Sequence, residues 1–238
     1  MNNTESLVLV PGFVCDARVW RDQVAALSVK RTVQVADHGT AASLGAMAER
    51  ILAAAPQRFA LAGHSMGGRV ALEVLALAPE RVTRVALMDT GCHGLAPGAA
   101  GERERAHRYG LREIARRDGM RAMAQEWAPG MVHPRRLTDR VLMDEIHQMT
   151  MRASLAQFEA QLDALLARPD RTALLPTITV PTLVLCGNED SWSPMARHVE
   201  MAGLIPGSHL VGVPDCGHMC TMEQPEAVTA ALAAWLDY

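Results

Sequence analysis

A serine framed by glycines, Gly63-His64-Ser65-Met66-Gly67, is the segment of this sequence with the plainest chemical meaning. A serine hydroxyl attacks a carbonyl only when a base takes its proton. The G-x-S-x-G spacing serves that purpose when a strand runs into it and a helix leaves it. The serine then sits on a tight turn with its hydroxyl clear of the sheet edge. Both flanks read that way. Residues 58–62 have strand character, and helix signals run over 67–78 until Pro79 stops them. Gly63 and Gly67 leave room for closely apposed backbone, and the helix N-terminus turns amides toward developing negative charge. The plainer alternative is a serine that caps a helix after a glycine turn.

A base and an acid are needed next. Of nine histidines, His218 in Asp215-Cys216-Gly217-His218-Met219 is best placed, in a loop between the last expected strand and the last expected helix. His64 adjoins the serine, but an adjacent side chain points elsewhere as a rule. His38 and His93 also follow strands and can belong to a pocket or to solvent-facing loops. Asp190, after the penultimate strand, is the expected acid, with Glu189 as its rival and Asp89 in reserve. The order Ser65, Asp190, His218 is one of the known orders for such a triad. An oxyanion needs backbone donors. Met66, directly after the serine, offers one amide. The loop after the first strand offers the other, at Phe13 or alternatively Val14.

Strands are expected at 6–10, 32–36, 58–62, 82–88, 181–186 and 209–213, with helices near 43–54, 67–78, 195–203 and 224–236. This alternation argues for an α/β fold with a mostly parallel sheet flanked by helices. Residues 98–170 carry helical patterns and no convincing strand. They are expected to form an inserted helical cap, leaving 1–97 and 171–238 as the core domain. The plainer alternative is ordinary helical cover for the sheet.

The chain has 238 residues, 49% of them hydrophobic and 21% charged, which suits one buried core. The net charge of -3 and the lack of a basic stretch argue against nucleic acid as a partner. Residues 7–14 are apolar but too few to span a bilayer, and no basic amphipathic segment suggests a membrane surface. Without a positively charged leader, a cytoplasmic location is expected, and the Asn2-Asn3-Thr4 glycosylation pattern carries no meaning. Five cysteines without a CxxC pair do not make a disulfide scaffold. Cys216, His218 and Cys220 lack the further ligands of a zinc site, so neither a metal nor an organic cofactor is expected. The sequence is compatible with a monomer or a homodimer.

These segments together resemble the α/β-hydrolase superfamily over nearly the whole chain. The groups most similar are small carboxylesterases, enol-lactone hydrolases and related carbon–carbon bond hydrolases. Pro11-Gly12-Phe13 with Trp20 resembles the oxyanion segment, with Pro11 where many relatives have His. Gly63-His64-Ser65-Met66-Gly67-Gly68 resembles the nucleophile elbow, Gly187-Asn188-Glu189-Asp190 with Pro194 the acid loop, and Gly217-His218 the histidine loop. Because the chain starts near the strand before the oxyanion loop, a shortened sheet edge is expected. The resemblance implies hydrolysis of a carboxylic ester or lactone through an acyl-enzyme on Ser65. A cap rich in Met, Leu and Ala suits a small to medium, partly apolar substrate. From the cap, Trp127, Met131, Met149, Met151 and Phe158 are candidate lining residues, although Met at helical spacing is more often core. Val14 and Trp192 are further candidates. Arg135, Arg136 and Arg152 can meet an acidic substrate or simply face solvent. The rival readings are a carbon–carbon hydrolase of vinylogous diketones, a binding protein for a small ligand on the same fold, and an acyl-transfer side role.

Overall fold

Strands covered on both faces need near-continuous apolar sequence. The structure, a computed structural model, describes residues 5–238, so the Asn2-Asn3-Thr4 pattern lies outside the described residues. β1 (Leu7–Val10), β3 (Phe59–His64) and β5 (Thr182–Gly187) are buried at every position, and β4 (Val82–Met88) at most. These four form the middle of a six-stranded sheet. β2 (Val33–Val35) and β6 (His209–Val213) close its edges and are less covered. The order is β2-β1-β3-β4-β5-β6, and every pairing is parallel.

Parallel neighbours require crossovers over the faces of the sheet. α1 (Arg21–Leu27), α2 (Leu44–Ala54) and α3 (Met66–Leu77) precede β4. α4 (Gly98–Trp127), α5 (Arg140–Arg152) and α6 (Leu155–Leu166) all fall between β4 and β5. α7 (Met195–Leu204) joins β5 to β6, and α8 (Cys220–Glu223) and α9 (Pro225–Asp237) end the chain. The helical stretch of residues 98–170 thus holds three helices, the first two linked by 3-10 turns. α4 is broken at Gly119, where φ is 86°. α6 opens on a capping box between Ser154 and Gln157. α1 has no counterpart in the sequence reading. It has seven residues, too few for periodicity to declare it, and it is held by Gln23 donating to the Thr221 and Pro225 carbonyls. No helix among the described residues is long and apolar enough to cross a membrane.

The strand order locates the site. The chain moves from β1 outward to β2, then returns to β3 on the other side of β1. Connections after β1 and β3 therefore leave in opposite directions, and a crevice opens between their carboxyl ends.

Candidate active site

Ser65 follows β3 directly, with φ 56° and ψ −118°. Such a conformation is strained for a residue with a Cβ and survives only where its surroundings enforce it. The Ser65 N–H donates to the Met88 carbonyl (2.8 Å), and the Thr90 hydroxyl donates to the Ser65 carbonyl (2.7 Å). A Cβ on Gly67 would stand 2.1 Å from the Val10 oxygen, and one on Gly63 2.2 Å from the Gly67 oxygen. Only glycine at both positions lets α3 start so close to β1.

Asp190 comes from the loop after β5 and His218 from the loop after β6. The Ser65 hydroxyl donates to His218 Nε2 (2.8 Å), and His218 Nδ1–H donates to Asp190 Oδ2 (2.7 Å). Asp190 Oδ1 accepts the Trp192 and Ser193 N–H groups, each at 2.8 Å. An ionised carboxylate only accepts, so it fixes the imidazole tautomer with the bare nitrogen toward Ser65. Burial opposes charge on both groups. The attraction between them outweighs it, raising the His218 pKa above 6.5 and lowering that of Asp190 with help from the two N–H donors. This chain of hydrogen bonds can draw a proton from Ser65 and hold the resulting imidazolium.

The rival acids do other things. Glu189 Oε2 accepts the Cys216 N–H (2.9 Å). Asp89 is fully buried and Oδ1 accepts the Gly187 N–H (2.9 Å); burial and the Asp190 charge push its pKa well up. Among the other histidines, His64 Nε2–H donates to the His218 carbonyl (2.7 Å). His38 Nε2–H donates to the Pro11 carbonyl (3.0 Å), behind the loop after β1. His93 is partly exposed beside Glu200 (3.2 Å).

No protein acceptor among the described residues takes the Phe13 or the Met66 N–H. The Val14 N–H is spent: it donates to Gln161 Oε1 on α6 (2.7 Å) in the buried interior. Val14 therefore cannot serve as the alternative oxyanion donor in this arrangement.

A cavity of about 330 Å3 opens over Ser65, floored by Phe13, Ser65, Met66 and His218 and walled in part by Trp127, Met131 and Trp192. Four expected lining residues lie elsewhere. Val14 and Met149 face a separate cleft with His38 and Gln161. Phe158 is buried against Phe13, ring centroids 5.5 Å apart, and props the loop after β1. Met151 lies two residues beyond Met149 on α5, about 200° around the helix, and lines neither cavity.

The cavity is also more charged than a cap of Met, Leu and Ala would make it. Arg69, Arg103, Arg108, Arg168 and Arg197 line it with a single carboxylate, Glu104. Glu104 accepts from Arg108 (2.9 Å) and, with both oxygens, from Arg168 (2.8 and 2.7 Å). Burial opposes its ionisation, but those two arginines hold its pKa at about 2. Arg135, Arg136 and Arg152, the arginines read as possible contacts to an acidic substrate, pair with Asp215, Asp139 and Asp16.

Another unforeseen residue braces the histidine loop. Glu223 is buried; Oε1 accepts the Gly217 and Met219 N–H groups (3.0 and 3.1 Å), and Oε2 accepts the His133 N–H (2.7 Å). The one readable signal for it is an acidic residue in the short helix after the loop. The Met131 carbonyl accepts from His218 N–H (2.9 Å) and Met219 N–H (3.1 Å). Donor atoms able to hold a small cation cluster in two groups, His64 with Asp89 and Cys220, and Asp89 with Cys186 and Asp190. Burial and nearby carboxylates keep both thiols protonated, which opposes ligation.

A family model described as alpha/beta hydrolase family matches residues 7–231. An esterase from Thermogutta terrifontis superposes with a TM-score of 0.87 at 31% identity, covering 98% of this chain and 89% of that one. A pimeloyl-[acyl-carrier protein] methyl ester esterase from Nitrosomonas europaea is 27% identical over 98% of this chain and 96% of its own length. The dihydrolipoyllysine-residue acetyltransferase component of an acetoin cleaving system from Pseudomonas putida is 30% identical over 97% of this chain. The chain spans only 63% of that relative's length.

Proposed function

The chain belongs to the alpha/beta hydrolase family, and on that footing we propose that it cleaves a carboxylic ester or lactone through an acyl-enzyme on Ser65. The observation that carries the reading is the hydrogen-bonded run from Ser65 through His218 to Asp190, at 2.8 and 2.7 Å. Ser65 Oγ adds to the carbonyl carbon while His218 Nε2 takes its proton. The carbonyl electron pair becomes an oxyanion held by the Phe13 and Met66 amides. Collapse expels the alcohol, which receives the proton from His218, and leaves Ser65 acylated. Water then attacks, losing a proton to His218; collapse of the second oxyanion releases the acid, and His218 returns that proton to Ser65 Oγ. The helices within 98–170 act as a lid that shapes the acyl and alcohol sites. The likeness to an esterase at 31% identity supports ester chemistry.

The test is intact mass after a serine-reactive phosphonate, with turnover of short p-nitrophenyl esters, on the wild type and Ser65→Ala. One adduct and turnover on the wild type alone are expected. A folded Ser65→Ala that still takes the adduct or keeps full activity sinks the reading.

A further inference from the structure

Five guanidiniums around a serine in a concave site need an explanation. Glu104 pairs with two of them, Arg108 and Arg168. Arg108 is almost wholly buried and also lies over the Phe13 and Trp192 rings, at 6.0 and 5.4 Å from their centroids. Its place is set by packing, as for an arginine stacked on aromatic faces. Arg69, Arg103 and Arg197 differ: among the described residues, no carboxylate forms an ion pair with any of them. Arg69 donates only to the His93 carbonyl (2.7 Å). It leaves α3 one turn after Ser65. Arg197 enters from α7. A Cβ on Gly91 would meet Arg197 Cδ at 2.9 Å and Arg69 Nη2 at 3.2 Å, so both side chains pack over the same glycine. Two half-buried guanidiniums side by side repel, and the fold provides no acid between them. Like charges held together in a cleft raise the local concentration of anions.

We propose that the substrate is an ester or lactone that itself carries a small oxyanion group, bound by Arg69 and Arg197 with Arg103 at the rim. This rests on the serine hydrolase reading above. A planar guanidinium matches carboxylate or phosphoryl oxygens through paired N–H donors. The cavity, about 330 Å3, is at the small end for ligand sites and suits a short half-ester. The substrate therefore has two ends with different fates: a carbonyl delivered to Ser65 and an anion anchored on α3 and α7.

The experiment compares three p-nitrophenyl esters of similar length: hydrogen glutarate, phosphonobutanoate, and isoheptanoate, in which two methyl groups replace the glutarate carboxylate oxygens. The expected result is a kcat/KM for an anionic ester about tenfold or more above that for isoheptanoate, the gain of a charge-assisted hydrogen bond. Which anion is preferred identifies carboxylate or phosphoryl. Arg197→Gln lowers that selectivity ratio, and Arg197→Lys restores part of it. Arg69→Gln does the same if it folds. Calorimetric binding of the three esters to Ser65→Ala repeats the comparison without turnover. Equal handling of anionic and neutral esters overturns the proposal, whether or not Ser65 is reactive. Phosphonate labelling of wild-type Ser65 judges the nucleophile separately. A labelled enzyme with no anion preference loses the inference alone. An unlabelled protein whose Ser65→Ala form still prefers the anionic esters loses the hydrolase reading alone.

Discussion

Asp190 spends one oxygen on the His218 imidazole and the other on two backbone N–H groups, so its replacement has a specific signature. The proposed reaction needs neutral His218. The Asp190 carboxylate stabilises the imidazolium, so turnover should climb with pH through a midpoint above 6.5. Asp190→Asn removes that attraction and the tautomer control. We expect a rate loss of roughly 10^4 together with a shift of the acid limb to lower pH. Glu189→Gln, which alters only a brace on the Cys216 amide, should leave the limb where it is. A pH–rate profile of all three proteins checks this, and an unmoved limb in Asp190→Asn would return the acid to another residue. The meeting of Ser65, Asp190 and His218 was legible in the sequence because each lies in the segment that follows a strand, near glycines that mark a turn. The arginines of the cavity were not. They come from α3, α4, α7 and the turn after α6, and in sequence each looks like an ordinary solvated charge.

The elements meet at the loop after β1, where Gln161 of α6 accepts the buried Val14 N–H and Phe158 packs beneath Phe13. Helix α6 thereby braces the loop that carries the Phe13 amide. Gln161→Leu leaves a buried donor unmatched and should cost about 1–3 kcal/mol in urea unfolding. It should also lower kcat more than it raises KM, because the proposed Phe13 donor matters chiefly once the oxyanion forms. Unchanged stability would mean that the loop holds itself. The sheet that α6 serves was readable strand by strand, apart from one or two residues at some ends. β2 shrank to Val33–Val35 because an edge strand has a partner on one side only. The far reach of Val14 and Met149 into a second cleft was invisible, since periodicity tells which residues are buried but not which cavity they face.

At the scale of the whole molecule, the net charge of -3 hides a concentration of positive charge at one mouth. Strain is concentrated as well: Val14, Ser65, Asp89 and Asp215 all have positive φ, and all lie just past the carboxyl ends of strands. The Met131 carbonyl, which takes the N–H groups of both His218 and Met219, ties this rim to the helices between β4 and β5. That tie has a consequence in time. The six strands can pair without it, whereas the loop bearing the base finds its acceptor only after residues 98–131 have docked. During refolding from urea, ellipticity should therefore return before the ability to turn over an ester, and a common rate for both would mean docking accompanies sheet formation. A newly made chain would pass through an interval in which it has its architecture but not yet its reactivity.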